Sequence, residues 1–279
     1  MIPAPFDYEV AGSVDAAVEL LGSRDDAKLL AGGHSLIPLL RLRFARPALL
    51  VDIGRMEELR YVRDAGEQLA IGALTRHHDV HHDPLVQEHC PIVSYTAGLI
   101  GDPQVRHRGT IGGSAAHGDP ASDLPTILTA LDADLVVRGP AGERTIPAAE
   151  FFRGVFETAL GPQDVLTEIR IPKLGPAGWS YVKFTRRAQD WATVAVAAVV
   201  RRSNGTIDDA AIALTNMGPV PVRARAAESA LKTADDVKAA ADVVGQESDP
   251  PSDTSGSSEY RRHLATVLAE RALEEAISR

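Results

Sequence analysis

Cysteine is nearly absent: Cys90 is the one thiol in 279 residues. That excludes an internal disulfide, and it excludes a cysteine-ligated iron-sulfur cluster or four-thiolate zinc site built by this chain alone. Such sparing use points to a reducing compartment. Long apolar runs are missing as well, the longest, Val194 to Val200, being roughly a third of what a bilayer-spanning helix needs. The opening residues, Met1-Ile2-Pro3-Ala4-Pro5-Phe6-Asp7, carry neither a basic start nor an apolar stretch of signal-peptide length, so a cytoplasmic protein is expected. No long basic run exists either, and 29 Lys and Arg against 38 Asp and Glu leave a formal charge of -9, which disfavours nucleic acid as a partner. What remains, 44% apolar and 24% charged residues, is the composition of an ordinary globular chain, long enough for about two domains of roughly 150 residues.

Periodicity divides the chain into three stretches. Ser13 precedes Val14, Ala17, Val18 and Leu21 at helical spacing with Asp15 in the first turn, predicting a capped amphipathic helix behind a short strand. Lys28 to Ala31 reads as a strand entering Gly32-Gly33-His34-Ser35, and Leu36 to Phe44 as a helix interrupted near Pro38. With a strand at Leu49 to Ile53, residues 1 to about 55 form a small α+β subdomain. Residues 56–174 mix strands at Gln68 to Ile71, Leu135 to Val137 and Val165 to Ile171 with helices near His77, Ile92 and Leu124. Alternation in the last of these strands assigns Val165, Thr167, Ile169 and Ile171 to one face and Leu166, Glu168 and Arg170 to the other. The turn-rich segment Lys173 to Gly178 marks a boundary. Residues 175–279 then read as strands at Trp179 to Phe184, Thr193 to Arg201 and Ala210 to Thr215, followed by helices at Val222 to Thr233, Asp235 to Val244 and Glu259 to Ile277. Residues 246–258, rich in Ser, Asp and Pro, are expected to form a mobile loop.

Two glycine-rich segments, Ala31-Gly32-Gly33-His34-Ser35 and Gly109-Thr110-Ile111-Gly112-Gly113-Ser114, each pair glycines with a hydroxyl residue. Glycines let successive backbone N–H groups converge on one point, and Ser35 or Thr110 adds a donor, so the pair reads as a grip on one extended anion such as a dinucleotide pyrophosphate. Each segment alone also reads as a plain turn. Neither has the three spaced glycines of the Rossmann fingerprint nor the Lys-Ser/Thr ending of a phosphate loop. Other candidates compete. His77, His78, His81 and His82 fall one helical turn apart in pairs, a geometry that chelates divalent metals, but no zinc-hydrolase glutamate accompanies them, and no metal site is assigned. Cys90 beside His89 reads as buried filler rather than a nucleophile, and Arg106, His107 and Arg108 read either as a solvated charge cluster, the commoner case, or as a group that draws an anionic cofactor into the neighbouring loop.

The second segment sits within Ile100-Gly101-Asp102-Pro103 to Ser122-Asp123-Leu124-Pro125. With Ala31 to Ser35 and with Lys183-Phe184-Thr185-Arg186-Arg187-Ala188-Gln189-Asp190-Trp191-Ala192, it resembles the FAD-binding medium subunits of molybdenum hydroxylases, the xanthine dehydrogenase family, and most nearly those of the aerobic carbon monoxide dehydrogenase type. The resemblance spans essentially the whole chain, with its three motifs in order. It implies an α+β fold in which a two-subdomain, vanillyl-alcohol-oxidase-like FAD-binding domain (residues 1–174) precedes a C-terminal sheet-and-helix domain (residues 175–279) of the carbon monoxide dehydrogenase flavoprotein type. It also implies that FAD is held by Ala31, Gly32, Gly33, His34, Ser35 and Leu36, by Ile100 and Gly101, and by Thr110, Ile111, Gly112, Gly113 and Ser114. Asp123 would bind a flavin-side hydroxyl, Lys183 would lie near the flavin end, and Trp191 would lie beside the ring. Two positions depart from the family pattern: Trp191 stands where many relatives have Tyr, and Ser114 where Asn is usual.

No catalytic residue and no metal ligand is implied in this chain, because the flavin carries the redox chemistry. Electrons would come from a molybdopterin large subunit through an iron-sulfur small subunit, in a dimer of heterotrimers, and leave to an external acceptor such as a quinone. Such a complex would associate with the inner face of the membrane. The reductant, whether carbon monoxide, an N-heterocycle or an aldehyde, is not written in these residues. An assembly scaffold without electron transfer and a stand-alone flavin oxidase are the alternatives.

Overall fold

In the computed structural model, which describes residues 2–234 and 236–279, the Ser13 side chain accepts from the Ala16 N–H and starts the first helix where its spacing predicts. Met1, the first residue of the expected N-terminal subdomain, and Asp235, the start of an expected helix, lie outside the described residues. The opening unit runs β1 (Asp7–Val10), α1 (Val14–Gly22), β2 (Lys28–Leu30), α2 (Leu36–Leu42) and β3 (Leu49–Asp52), and its strands pair in parallel in the order β1-β3-β2. α1 buries Ala17, Val18 and Leu21 against Leu49, Val51 and Ile53. Pro38 does not interrupt α2. It occupies the third helical position, where a backbone N–H has no intrahelical acceptor to lose, and the helix ends instead at Arg43, whose φ is 62°.

The second unit begins with β4 (Val62–Ala65) and β5 (Gln68–Gly72). Six short helices follow: α3 (His77–His82), α4 (Pro84–His89), α5 (Pro91–Gly98), α6 (Pro103–Arg106), α7 (Ile111–His117) and α8 (Asp123–Ala130). After β6 (Asp134–Gly139), β7 (Gly142–Pro147), α9 (Ala148–Phe151) and the ribbon of β8 (Phe152–Gly154) with β9 (Glu157–Thr158), β10 (Val165–Pro172) enters the middle of an antiparallel sheet ordered β4-β5-β10-β6-β7. The strict alternation expected of β10 fails. A register shift between Leu166 and Glu168, the signature of a bulge, sends Val165 into the core of the first unit and Leu166 into the second, beside Ile169 and Ile171.

The third unit is an antiparallel sheet ordered β11 (Gly178–Phe184), β12 (Val194–Ser203), β13 (Thr206–Thr215) and β14 (Val222–Arg223), with helices α10 (Arg225–Ala234), α11 (Val237–Val243) and α12 (Ser258–Ser278). Val222, expected to open a helix, is instead in β14, because pairing with the edge of β13 at Leu214 claims it. β12 is buried on both faces. Ala195, Ala197 and Val199 pack into the core of the second unit, whereas Val194, Val196, Ala198 and Val200 pack with Leu264, Leu268 and Leu273 of α12. Residues 246–257 have no helix or strand of their own and residue 258 already opens α12, yet the segment is anchored: the Asp249 N–H donates to the Met217 carbonyl, and the fully buried Arg261 guanidinium grips both oxygens of Asp253 at 2.7 and 2.8 Å and donates to the Thr193 carbonyl. No helix among the described residues is long and apolar enough to cross a membrane.

Candidate cofactor site

The two glycine segments, 75 or so residues apart in sequence, touch. A Cβ on Gly32 would lie 2.2 Å from the Arg108 carbonyl oxygen and 3.0 Å from the Gly109 Cα, so position 32 has no room for a side chain while the two backbones stay in contact. His34 Nε2 reaches the Gln104 carbonyl at 3.3 Å, and Arg76 Nη1 donates to the Arg108 carbonyl at 2.8 Å. Gly33, with φ of +79°, turns the chain from β2 into α2. The consequence is a run of open donors: among the described residues, the backbone N–H groups of Gly32, Gly33, His34, Ser35 and Leu36 have no acceptor, and the Ser35 hydroxyl makes no cap bond. Successive amides left unpaired in this way form an anion-binding nest.

The second segment is not a loop throughout. Ile111 onwards is the helix α7, capped by Thr110, and its amides are already used: Ile111 donates to the Thr75 carbonyl at 3.0 Å, Gly112 to Ala73 at 2.9 Å, Gly113 to Thr110 Oγ1 at 3.1 Å and Ser114 to the Thr110 carbonyl at 3.0 Å. The free groups on this side are hydroxyls. Thr110 Oγ1 accepts from Gly113 and keeps its own proton to donate, and the Ser114 hydroxyl has no partner among the described residues. The two segments are therefore unlike: the first offers backbone donors and the second hydroxyl donors. Ile100 and Gly101 lie just ahead of α6, where Arg106 donates to both their carbonyls at 3.0 and 3.2 Å. Behind Gly109 stands buried His77, whose imidazole is depressed to about 4 by burial, with His34 and Arg106 adding to the effect, so it is neutral at pH 7.

Asp123 and Lys183 meet. Asp123 opens α8, and its carboxylate, 6% exposed, accepts from Lys183 Nζ at 2.8 Å and from the Tyr181 hydroxyl at 2.7 Å. With the phenol proton given to Asp123, the Thr215 hydroxyl, 3.0 Å from the Tyr181 oxygen, is the donor of that pair, and its own oxygen lies 2.8 Å from the Thr126 hydroxyl, from which it can accept. Burial pushes the Asp123 carboxyl above its ordinary value, against the pull of Lys183 and the Tyr181 hydroxyl, and burial likewise pushes the Tyr181 phenol up. Lys183 and Tyr181 also line a cavity of about 360 Å³ with Tyr95, Leu99, Gln189 and Glu275, within the roughly 300–1,000 Å³ usual for small-molecule sites. Trp191 is not in that wall. It is 68% exposed, while Gln189 and Asp190 of the same motif face the cavity. Sequence reasoning missed Tyr181, Thr215, Tyr95 and Leu99. Tyr181 was within reach, because it precedes Lys183 by two residues on one strand and therefore shares its face.

The competing candidates come apart. His78 stacks between His82 and His107 with ring centroids at 4.3 and 3.9 Å, His81 donates through Nδ1 to the Ser94 carbonyl, and no group of three or more His, Cys, Asp or Glu among the described residues is arranged to hold a metal. Cys90 is buried, its thiol pushed up to about 12 by burial.

A paired αβ subdomain assembly with a donor-lined crease, followed by a sheet-and-helix domain, defines a flavoprotein of the FAD-binding class. The family described as "FAD binding domain in molybdopterin dehydrogenase" matches residues 4–174, and "CO dehydrogenase flavoprotein C-terminal domain" matches residues 179–276. The chain belongs to this family of oxidoreductase subunits, whose cofactor is FAD. It is 44% identical to the carbon monoxide dehydrogenase medium chain of Hydrogenophaga pseudoflava, covering 100% of this chain and 99% of the relative. It is 39% identical to the glyceraldehyde dehydrogenase medium chain of Sulfolobus acidocaldarius, covering 99% of each. A solved carbon monoxide dehydrogenase from Hydrogenophaga pseudoflava, lacking the molybdenum-pyranopterin moiety of its cofactor, superposes with a TM-score of 0.97 at 46% identity, covering 100% of this chain and 99% of that one.

The residues present fit FAD. Five unpaired amides beside three free hydroxyls match a diphosphate, which needs many donors and offers only acceptors. The Lys183 ammonium has one partner among the described residues and so keeps N–H groups for a ligand in the cavity.

Proposed function

We propose that this chain is the FAD-carrying electron-transfer subunit of a molybdenum hydroxylase assembly. An iron-sulfur small subunit, fed by a molybdopterin large subunit, would deliver electrons to it, and an external acceptor such as a quinone would receive them. The observation that carries the reading is the run of unpaired amides from Gly32 to Leu36, pressed against the hydroxyl-bearing start of α7. In this reading Ala31 leads the chain into the nest, Gly32 to Leu36 bind the diphosphate through backbone N–H groups, and Thr110 and Ser114 add hydroxyl donors. Ile111, Gly112 and Gly113 wall the site, Ile100 and Gly101 flank it, Asp123 and Lys183 face the flavin half, and Trp191 sits at its rim. Residues 1–174 act as the FAD-binding domain and residues 175–279 as the domain that closes over it. Bound FAD supplies the redox chemistry, and the protein supplies position, potential and exclusion of water. No residue of the chain acts as acid, base or nucleophile.

The assembly is proposed to be a dimer of heterotrimers in the cytoplasm, at the inner face of the membrane. The medium chains of a carbon monoxide dehydrogenase and of a glyceraldehyde dehydrogenase are both similar to this chain over nearly its whole length, in keeping with substrate choice lying on another chain. The test is direct: protein purified in its native assembly should show flavin absorption near roughly 370 and 450 nm and release FAD one to one with this chain on denaturation. A preparation without flavin that also takes up none when FAD is added would end the reading. Bleaching by substrate that persists after the partner chains are removed would favour a stand-alone oxidase.

A further inference from the structure

The hydrogen-bond chain behind Asp123 crosses between the two family-matched regions. Thr126 and Asp123 belong to α8, Tyr181 and Lys183 to β11, and Thr215 to β13. β12 lies between β11 and β13, and only its small side chains let the phenol reach across: Tyr181 pairs with Ala197, and Lys183 with Ala195, which in turn pairs with Thr215. Tyr181 is 2% exposed, its phenol oxygen is spoken for on both sides, and although the residue lines the cavity it makes no hydrogen bond to either glycine segment among the described residues. Nothing in its placement requires a phenol for packing alone. A phenylalanine would fill the same volume, but it would leave one Asp123 oxygen without its donor and the Thr215 hydroxyl without its neighbour.

We propose that Tyr181, backed by Thr215, is a positioning residue that fixes the Asp123 carboxylate so that the carboxylate in turn holds the Lys183 ammonium at the cavity and tunes the cofactor lodged there. The proposal rests on the reading that FAD occupies the site with its flavin end at Lys183. A buried carboxylate stripped of one of its two donors binds its remaining partner differently: with no second donor to share the charge, it draws the ammonium further onto itself and away from the cavity. A fixed cation next to a flavin favours the reduced form, which carries more negative charge, so displacing the cation lowers the midpoint potential. That potential is set by the ratio of affinities for the two redox forms.

The experiment is a spectroelectrochemical titration of flavin in the native assembly purified with K183M, Y181F, T215V or unaltered chain, with the melting temperature of each recorded. K183M is expected to change the affinity ratio roughly tenfold, a drop of about 30 mV for a two-electron couple, and Y181F roughly threefold in the same direction, about 15 mV. T215V, which keeps the phenol but removes its neighbour, is expected to move the potential the same way by less. If Y181F fails to fold, T215V alone decides, and a potential equal to that of the unaltered chain overturns the proposal. A lowered potential in K183M with unchanged potentials in Y181F and T215V also overturns the proposal and leaves the flavin placement standing. An unchanged potential in K183M removes the placement itself. A fall in melting temperature without any shift in potential marks Tyr181 as structural only, which again overturns the proposal.

Discussion

Gly32→Ala tests the contact between the two glycine segments at its tightest point. The added Cβ would sit 2.2 Å from the Arg108 carbonyl oxygen, and real Cβ atoms do not approach closer than 3.0 Å, so something must move by at least the difference, 0.8 Å. The obstacle is backbone. It cannot rotate aside as a side chain would, and the carbonyl is further held by the Arg76 guanidinium at 2.8 Å. Overpacking of this kind costs about 2 kcal/mol, which in a protein of this size lowers the melting temperature by roughly 4–8 °C. Because the segments that part are the ones proposed to hold the diphosphate, flavin released on denaturation should also fall below one per chain. Gly12→Ala is the control: a Cβ there meets nothing within 4 Å, and its stability should stay within about 0.5 kcal/mol. Differential scanning fluorimetry with a flavin assay on the same samples reads both effects. A Gly32→Ala protein that melts with Gly12→Ala and keeps full FAD would refute the contact.

Further outcomes are expected elsewhere in the molecule. The buried Glu168 carboxylate accepts from Tyr61 at 2.7 Å, Arg63 at 2.6 Å and Arg170 at 2.6 Å, and although burial raises its pKa, these bonds outweigh burial and hold it below the ordinary value. Its contribution is therefore complete above the unfolded value of about 4.3 and is lost as pH falls through the lower folded value. Glu168→Gln should cost about 1–3 kcal/mol at pH 7, with the gap in melting temperature narrowing as the buffer is taken below pH 4; a gap independent of pH would contradict the assignment. Cys90 should stay unreactive toward a thiol reagent at pH 8 until the protein is denatured, and rapid native labelling would contradict its burial. Arg261→Ala, which removes the guanidinium gripping Asp253 and the Thr193 carbonyl, should open residues 246–258 to limited proteolysis and cost about 3 kcal/mol. An unchanged cleavage pattern would show that the clamp does not hold that segment.

Most of the architecture was legible because it rests on local rules. The Ser13 cap, the apolar run of β12 and the two glycine segments all announce themselves within a few residues. The failures share a cause, namely competition from contacts that no window of sequence contains. Pro38 reads as a breaker until the start of α2 is placed, and then it sits where proline is harmless. The alternation of β10 breaks at a bulge set by its neighbour, β6. In the second glycine segment the residues were found but their use was not: the amides of Ile111 and Gly112 go to Thr75 and Ala73, far back along the chain, so the hydroxyls are what remain for a ligand. The Asp123 and Lys183 pair was named from resemblance, whereas the Thr215 link depends on two alanines in an intervening strand, a requirement visible only in the register.

The two faces of β12 give one strand a double allegiance. Ala195, Ala197 and Val199 belong to the neighbouring unit and Val194, Val196, Ala198 and Val200 to the helices behind the strand, so the regions matched by two separate family descriptions share a wall. Grafting the C-terminal portion of one relative onto the N-terminal portion of another would therefore succeed only where the donor strand brings side chains just as small to that surface. Melting of such hybrids should track the fit of that single strip rather than overall identity.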